Sequence, residues 1–72
     1  MTSTNRLSRR DEATERLMTR ATITVYDVMA LTGWGETTVR RAIASGDIAT
    51  IRLGHRIHVL SAPLRRQLGI ED

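Results

Sequence analysis

Seventy-two residues make one small domain, since domains typically run to ~100–150 residues, and they leave little room for a large enzyme active site. Forty per cent are hydrophobic, with one Tyr, one Trp, no Phe and no Cys; the core must therefore be small and aliphatic, without disulfides or a thiolate metal site. The net charge is +3 with eleven basic residues, all arginine.

Other classes are set aside on the same grounds. His55 and His58 are the only histidines and have no nearby set of acids, so neither a zinc site nor any other metal or cofactor is expected. No apolar run approaches the ~18 residues of a membrane span. Nor does the N-terminus carry the apolar stretch of a signal sequence. A cytoplasmic protein with no membrane partner is expected.

Residues 1 to 20 hold five arginines, three acids and few large apolar side chains, namely Leu7, Leu17 and Met18. Ser8 and Asp11 have the spacing of a capping box, and Glu12 precedes Arg16 by four, which favours a helix. The apolar stripe is thin. The segment therefore reads as a basic N-terminal arm, flexible or helical, that the core does not need. Residues 21 to 72 form the domain proper.

From Ile23 the apolar spacing becomes regular. Thr24 and Asp27 give a second capping signal, and Val25, Val28, Met29 and Thr32 fall at helical spacing, which predicts a helix over residues 25 to 31 or 32. Gly33-Trp34-Gly35 breaks it, and Trp34 is expected to pack in the turn. The period resumes at Glu36 with Val39, Ala42 and Ile43, and Gly46 stops the second helix. Two short helices joined by a tight turn with glycine form a helix-turn-helix.

After Asp47 the period switches to two, with Ile51 and Leu53 before Gly54 and Ile57 and Val59 after it, the pattern of a hairpin. A two-residue loop would split these apolar residues between opposite faces. A three-residue loop, Gly54-His55-Arg56, pairs Leu53 with Ile57 and Ile51 with Val59. That gives one apolar face, puts Arg52 and His58 together on the solvent face, and leaves His55 and Arg56 at the tip. Ser61 then caps a last helix with Pro63 in its first turn, Leu64 and Leu68 inward, and Gly69 at its end. The expected fold is mainly α with a small β-hairpin: a helix-turn-helix, a two-stranded wing and a C-terminal helix.

Residues 37 to 66 contain six arginines against one acid, Asp47. Arginine's planar fork suits phosphates and guanine edges, although a G+C-rich coding bias produces the same lysine-free composition. A locally basic surface of this kind has nucleic acid as its most general partner.

The stretch from Thr24-Val25-Tyr26-Asp27-Val28 through Gly33-Trp34 and Thr38-Val39-Arg40-Arg41-Ala42-Ile43 to Ile51-Arg52-Leu53-Gly54-His55-Arg56 resembles the excisionase and MerR-like winged helix-turn-helix domain. The resemblance covers residues 23 to 68. Gly35 stands where that family usually has a Ser cap, Met29 replaces the usual Ala, and Asp47-Ile48-Ala49 lacks the common Pro. The long dimerisation helix and effector domain of a full MerR regulator are not among the 72 residues.

The resemblance implies a standalone phage excisionase, a recombination directionality factor. Such a protein binds repeated attachment-site elements cooperatively, bends the DNA and directs integrase toward excision, without catalysis or a small-molecule substrate. The implied partners are double-stranded DNA, neighbouring copies of the chain and a phage integrase, in the nucleoid of a bacterial host cell. Arg6, Arg9 and Arg10 of the arm, with the last helix, are expected to meet those neighbours. Two alternatives fit the same residues: a small winged-helix transcriptional regulator of phage or plasmid genes, and a protein-interaction module such as an antirepressor. No nucleophile–base pair, carboxylate pair or phosphate-binding loop points to an enzyme.

On a helix turning about 100° per residue, inward Val39, Ala42 and Ile43 leave Thr37, Arg41 and Ala44 outward and Thr38 and Arg40 on the flanks. The N-terminal half of such a helix meets a major groove. Arg41 or Arg40 is expected at a guanine edge; Thr37 and Thr38 are expected at phosphate oxygens, unless one serves as a local cap. Arg56, with Arg52, is placed for the minor groove or flanking phosphates, and His55 is a further candidate contact. His58 reads as a plain hairpin residue. Arg65 and Arg66 are left to phosphates, a neighbouring subunit or solvent.

Overall fold

The computed structural model describes residues 9–70; Arg6, Leu7 and Ser8 of the expected arm and capping box lie outside the described residues. The elements are α1 (Arg9–Thr19), β1 (Thr22–Ile23), α2 (Val25–Thr32), α3 (Glu36–Ala44), β2 (Thr50–Leu53), β3 (Arg56–Leu60) and α4 (Ser61–Gln67). The described chain is mainly helical, with a three-stranded antiparallel sheet in the order β1-β3-β2. Among the described residues no helix is long and apolar enough to cross a membrane.

The first helix is part of the core, which corrects the expectation that the core does without it. Ala13 and Leu17, one turn apart, are both fully buried, and α1 packs against α2 and α4. Leu17 joins Ile23, Val25, Val28, Val39, Ile48, Val59 and Leu64 in one cluster. Burying a side chain of that size stabilises by ~1.5–3 kcal/mol, so a stripe only two residues wide is enough to dock the helix. Polar contacts fix its end. Arg16, four residues after Glu12, bonds across to Asp27 of α2 through Nε at 3.0 Å and Nη2 at 2.6 Å. Arg65 Nη1 donates to the Leu17 carbonyl at 2.9 Å, satisfying an acceptor that the end of a helix leaves open.

α2 and α3 start and stop where their residues dictate. Asp27 N–H donates to Thr24 Oγ1 at 3.1 Å and Thr24 N–H to Asp27 Oδ2 at 3.2 Å, the reciprocal pair of a capping box. Gly33 ends α2 at φ +78°, with its N–H on the Met29 carbonyl, a left-handed conformation that glycine adopts without a Cβ penalty. Gly35 caps α3 without a side-chain bond. Val28 and Val39 are fully buried, and Met29, Leu31, Ala42 and Ile43 pack around them. Trp34 does not fill the turn. It is 48% exposed and borders an apolar hollow with Val28, Ala42, Leu64 and Leu68.

The hairpin has the two-residue loop. Leu53 pairs with Arg56, Arg52 with Ile57, Ile51 with His58 and Thr50 with Val59, which corrects the three-residue loop and moves Arg56 from the tip into the ladder. Gly54, at φ +63°, occupies the first central position, where tight hairpin turns need positive φ. Ile51 and Leu53 are consequently 42% and 55% exposed. Arg52 shares the face of Ile57 and Val59 instead of that of His58. The split is tolerated because β1 supplies the missing apolar partner: Ile23 lies opposite Val59 on the other side of β3, and both are buried.

Ser61 is the first residue of α4 and not its cap, a position taken by Leu60. Its N–H extends the sheet to the Ala21 carbonyl at 3.0 Å, and its hydroxyl is buried with no hydrogen-bond partner among the described residues. Leu64 is buried, but Leu68, expected inward with it, is 39% exposed. Gln67 Nε2 ties α4 to the Asp47 carbonyl at 2.6 Å.

Candidate nucleic-acid interface

Val39 sets the phase of α3. With its side chain fully buried, Thr37, Thr38, Arg40 and Arg41 are all exposed. Neither threonine hydroxyl makes a hydrogen bond among the described residues, so neither serves as a cap and both remain available to an outside acceptor or donor. The Arg41 guanidinium is likewise in no hydrogen bond or ion pair among the described residues; its backbone carbonyl accepts the Ser45 N–H at 2.9 Å.

Arg40 differs. Its Nε donates to Glu36 Oε2 at 2.7 Å, one turn back on the same exposed face. The hydrogen bond to Glu36 and that carboxylate's charge hold the guanidinium pKa above its ordinary value, with the Tyr26 hydroxyl contributing less. A pair this open to solvent is weak and salt-screened.

Arg40 also joins α3 to the hairpin. With Arg52, Ile43, Thr50 and Ile57 it lines a cleft of about 340 Å³. With Tyr26, His55, Arg56 and His58 it lines a second, of about 310 Å³. Thr37, Thr38 and Arg41 line neither cleft; they form the outer face of α3 beside them. Four of the seven candidate residues are therefore brought together around Arg40, with Arg52 on one side of the hairpin and Arg56 and His55 on the other; Thr37, Thr38 and Arg41 are not among them. Asp47, the only acid between residues 37 and 66, lines neither. The arrangement offers guanidinium, hydroxyl and imidazole groups to an acceptor-rich ligand.

Arg65, left open between phosphates, a neighbouring subunit and solvent, is half-buried and engaged with α1 through the Leu17 carbonyl. Arg66 is exposed. Two residues at the surface were missed. Tyr26, 62% exposed at the start of α2, follows from the helical phase of Val25 and Val28. Arg20 carries no sequence signal, because β1 brings it alongside the hairpin.

Compared with known proteins, the chain matches no family model, no curated protein and no solved structure.

Proposed function

We propose that the chain is a winged helix-turn-helix DNA-binding protein acting as a phage excisionase. In this reading α2 and α3 are the helix-turn-helix and β2 and β3 the wing. Arg41 reads a guanine edge in the major groove, Thr37 and Thr38 bond the flanking phosphates, and Arg52, His55 and Arg56 follow the backbone or the minor groove. The observation that carries it is that Arg40 of α3 lines one cleft with Arg52 and another with His55 and Arg56, so that the helix borders a hairpin bearing arginine on both sides. The step from DNA binding to excision rests on the resemblance of residues 23 to 68. One domain of this size makes few phosphate contacts, so binding is weak alone and gains from cooperation between neighbouring copies on adjacent sites. The reading assigns no catalytic step to the chain.

The test is footprinting on attachment-site DNA with and without a tyrosine integrase, together with an Arg41→Ala variant. A repeated footprint that promotes excision supports the reading, and the variant loses ~1–3 kcal/mol at the specific site. A footprint confined to promoter DNA makes the chain a transcriptional regulator. Absence of any DNA retardation at low salt leaves the antirepressor type of function.

A further inference from the structure

We infer that the cleft between the end of α1, the start of α2 and β3 is a second phosphate-backbone tract, in which Arg20, Tyr26 and His58 hold DNA backbone oxygens beyond the stretch met by α3 and the hairpin tip. The inference rests on the DNA-binding reading above and extends it to residues outside the helix-turn-helix and wing.

Charge is the first support. Arg20, Tyr26 and His58 line a cleft of about 630 Å³ together with Arg16, Thr22 and Asp27. Asp27 is its only acid, and that carboxylate is fully engaged: Oδ1 accepts from Arg16 Nε and Nη2, and Oδ2 accepts the Thr24 N–H. It is also 5% exposed, so it presents little negative charge to a ligand. Arg20 is exposed, and its side chain makes no hydrogen bond or ion pair among the described residues.

Continuity is the second. Tyr26 and His58 also line the cleft of Arg40, His55 and Arg56, which contains no acid. A cationic path thus runs from Arg40 past Arg56 and His58 to Arg20. Chemistry is the third support. A guanidinium, a phenol and an imidazole, set around a cleft whose acid is already engaged, suit acceptor-only phosphate oxygens. The two-residue hairpin turn makes the tract possible, since it places Arg56 and His58 on the face away from Arg52.

The experiment is a titration of a labelled duplex with the full chain over a series of NaCl concentrations, for wild type, Arg20→Gln, Arg20→Lys, Tyr26→Phe and Arg66→Gln. Arg66 is an exposed arginine lining neither cleft, so its replacement matches the charge change of Arg20→Gln. Circular dichroism confirms that each variant is folded. The expected result is that Arg20→Gln reduces the slope of log K against log salt by about 0.9, the value for one phosphate. Arg20→Lys restores it, Tyr26→Phe weakens binding at unchanged slope, and Arg66→Gln keeps the wild-type slope. A wild-type slope in Arg20→Gln, or an equal loss in Arg66→Gln, overturns the tract while leaving DNA binding intact. Failure of the wild-type chain to bind the duplex at low salt overturns the DNA-binding reading and the tract with it.

Discussion

Arg52 and Arg56 lie on opposite faces of one hairpin. Arg52 stands across from Ile57 and shares a cleft with Arg40 and Ile43; Arg56 stands across from Leu53 and borders Tyr26 and His58. The turn is the cause. With Gly54 and His55 alone in the loop, paired residues are an odd number apart, so two arginines separated by four cannot share a face.

On the DNA-binding reading these two side chains meet different phosphates. Arg52→Gln and Arg56→Gln are each expected to reduce the salt slope of DNA binding by about 0.9, and the double variant by about 1.8. Independent contacts add in this way. If both arginines serve a single phosphate, the double variant will show the slope of either single one, which titrations over a salt series will reveal.

The register has its own consequence for stability. Ile51 and Leu53 are 42% and 55% exposed, while Val59 is fully buried. Ile51→Thr and Leu53→Thr are expected to change stability by less than about 0.5 kcal/mol, whereas Val59→Ala costs about 2 kcal/mol. Urea denaturation midpoints decide it: a loss at Ile51 as large as that at Val59 requires the two residues to share the inner face.

The hairpin shows where sequence reasoning ran short. Gly54-His55 carries the signal of a two-residue turn, whereas the period-two pattern of Ile51, Leu53, Ile57 and Val59 points to one shared face and a three-residue loop. The face is completed instead by Ile23, from a two-residue strand too short to show any period. The helical spacing of α1 was legible, but its place in the core was not, because Ala13 and Leu17 are just two positions and their worth depends on a core assembled from distant segments. The same strand sets Arg20 beside His58, so that part of the cationic surface had no local signature. By contrast, α2 and α3 were legible because Thr24, Asp27, Gly33 and Gly35 act through bonds and dihedrals within a few residues. The outward placing of Thr37 and Arg41, with Thr38 and Arg40 on the flanks, followed from the phase of Val39, Ala42 and Ile43.

Because Leu17 is fully buried in the shared cluster, Leu17→Ala is expected to cost about 2–5 kcal/mol. That is a large share of what a domain this small possesses. Removing residues 1 to 20 deletes both buried positions of α1 and should abolish cooperative thermal unfolding. A truncated chain that still melts in a single sharp transition would return the segment to the status of an arm.

The Arg16–Asp27 pair makes the fold acid-sensitive. Burial pushes the Asp27 carboxyl up, but the hydrogen bonds from Arg16 and the Thr24 backbone, with the Arg16 charge, outweigh it and hold the carboxyl below its ordinary value of 3.8. A carboxyl whose pKa is lower in the folded chain than in the unfolded one binds fewer protons when folded. Its contribution is therefore complete above the ordinary value and is lost as the pH falls through the lower, folded one. Wild-type melting temperature should drop as the pH is taken below about 4, whereas Asp27→Asn should start lower at neutral pH and fall less steeply. Thr24→Ala, which removes one half of the capping box and leaves the ion pair, should cost about 0.5–2 kcal/mol and keep most of the acid slope. If Asp27→Asn loses stability in acid as steeply as wild type, the slope belongs to other carboxylates and the pair does not govern it.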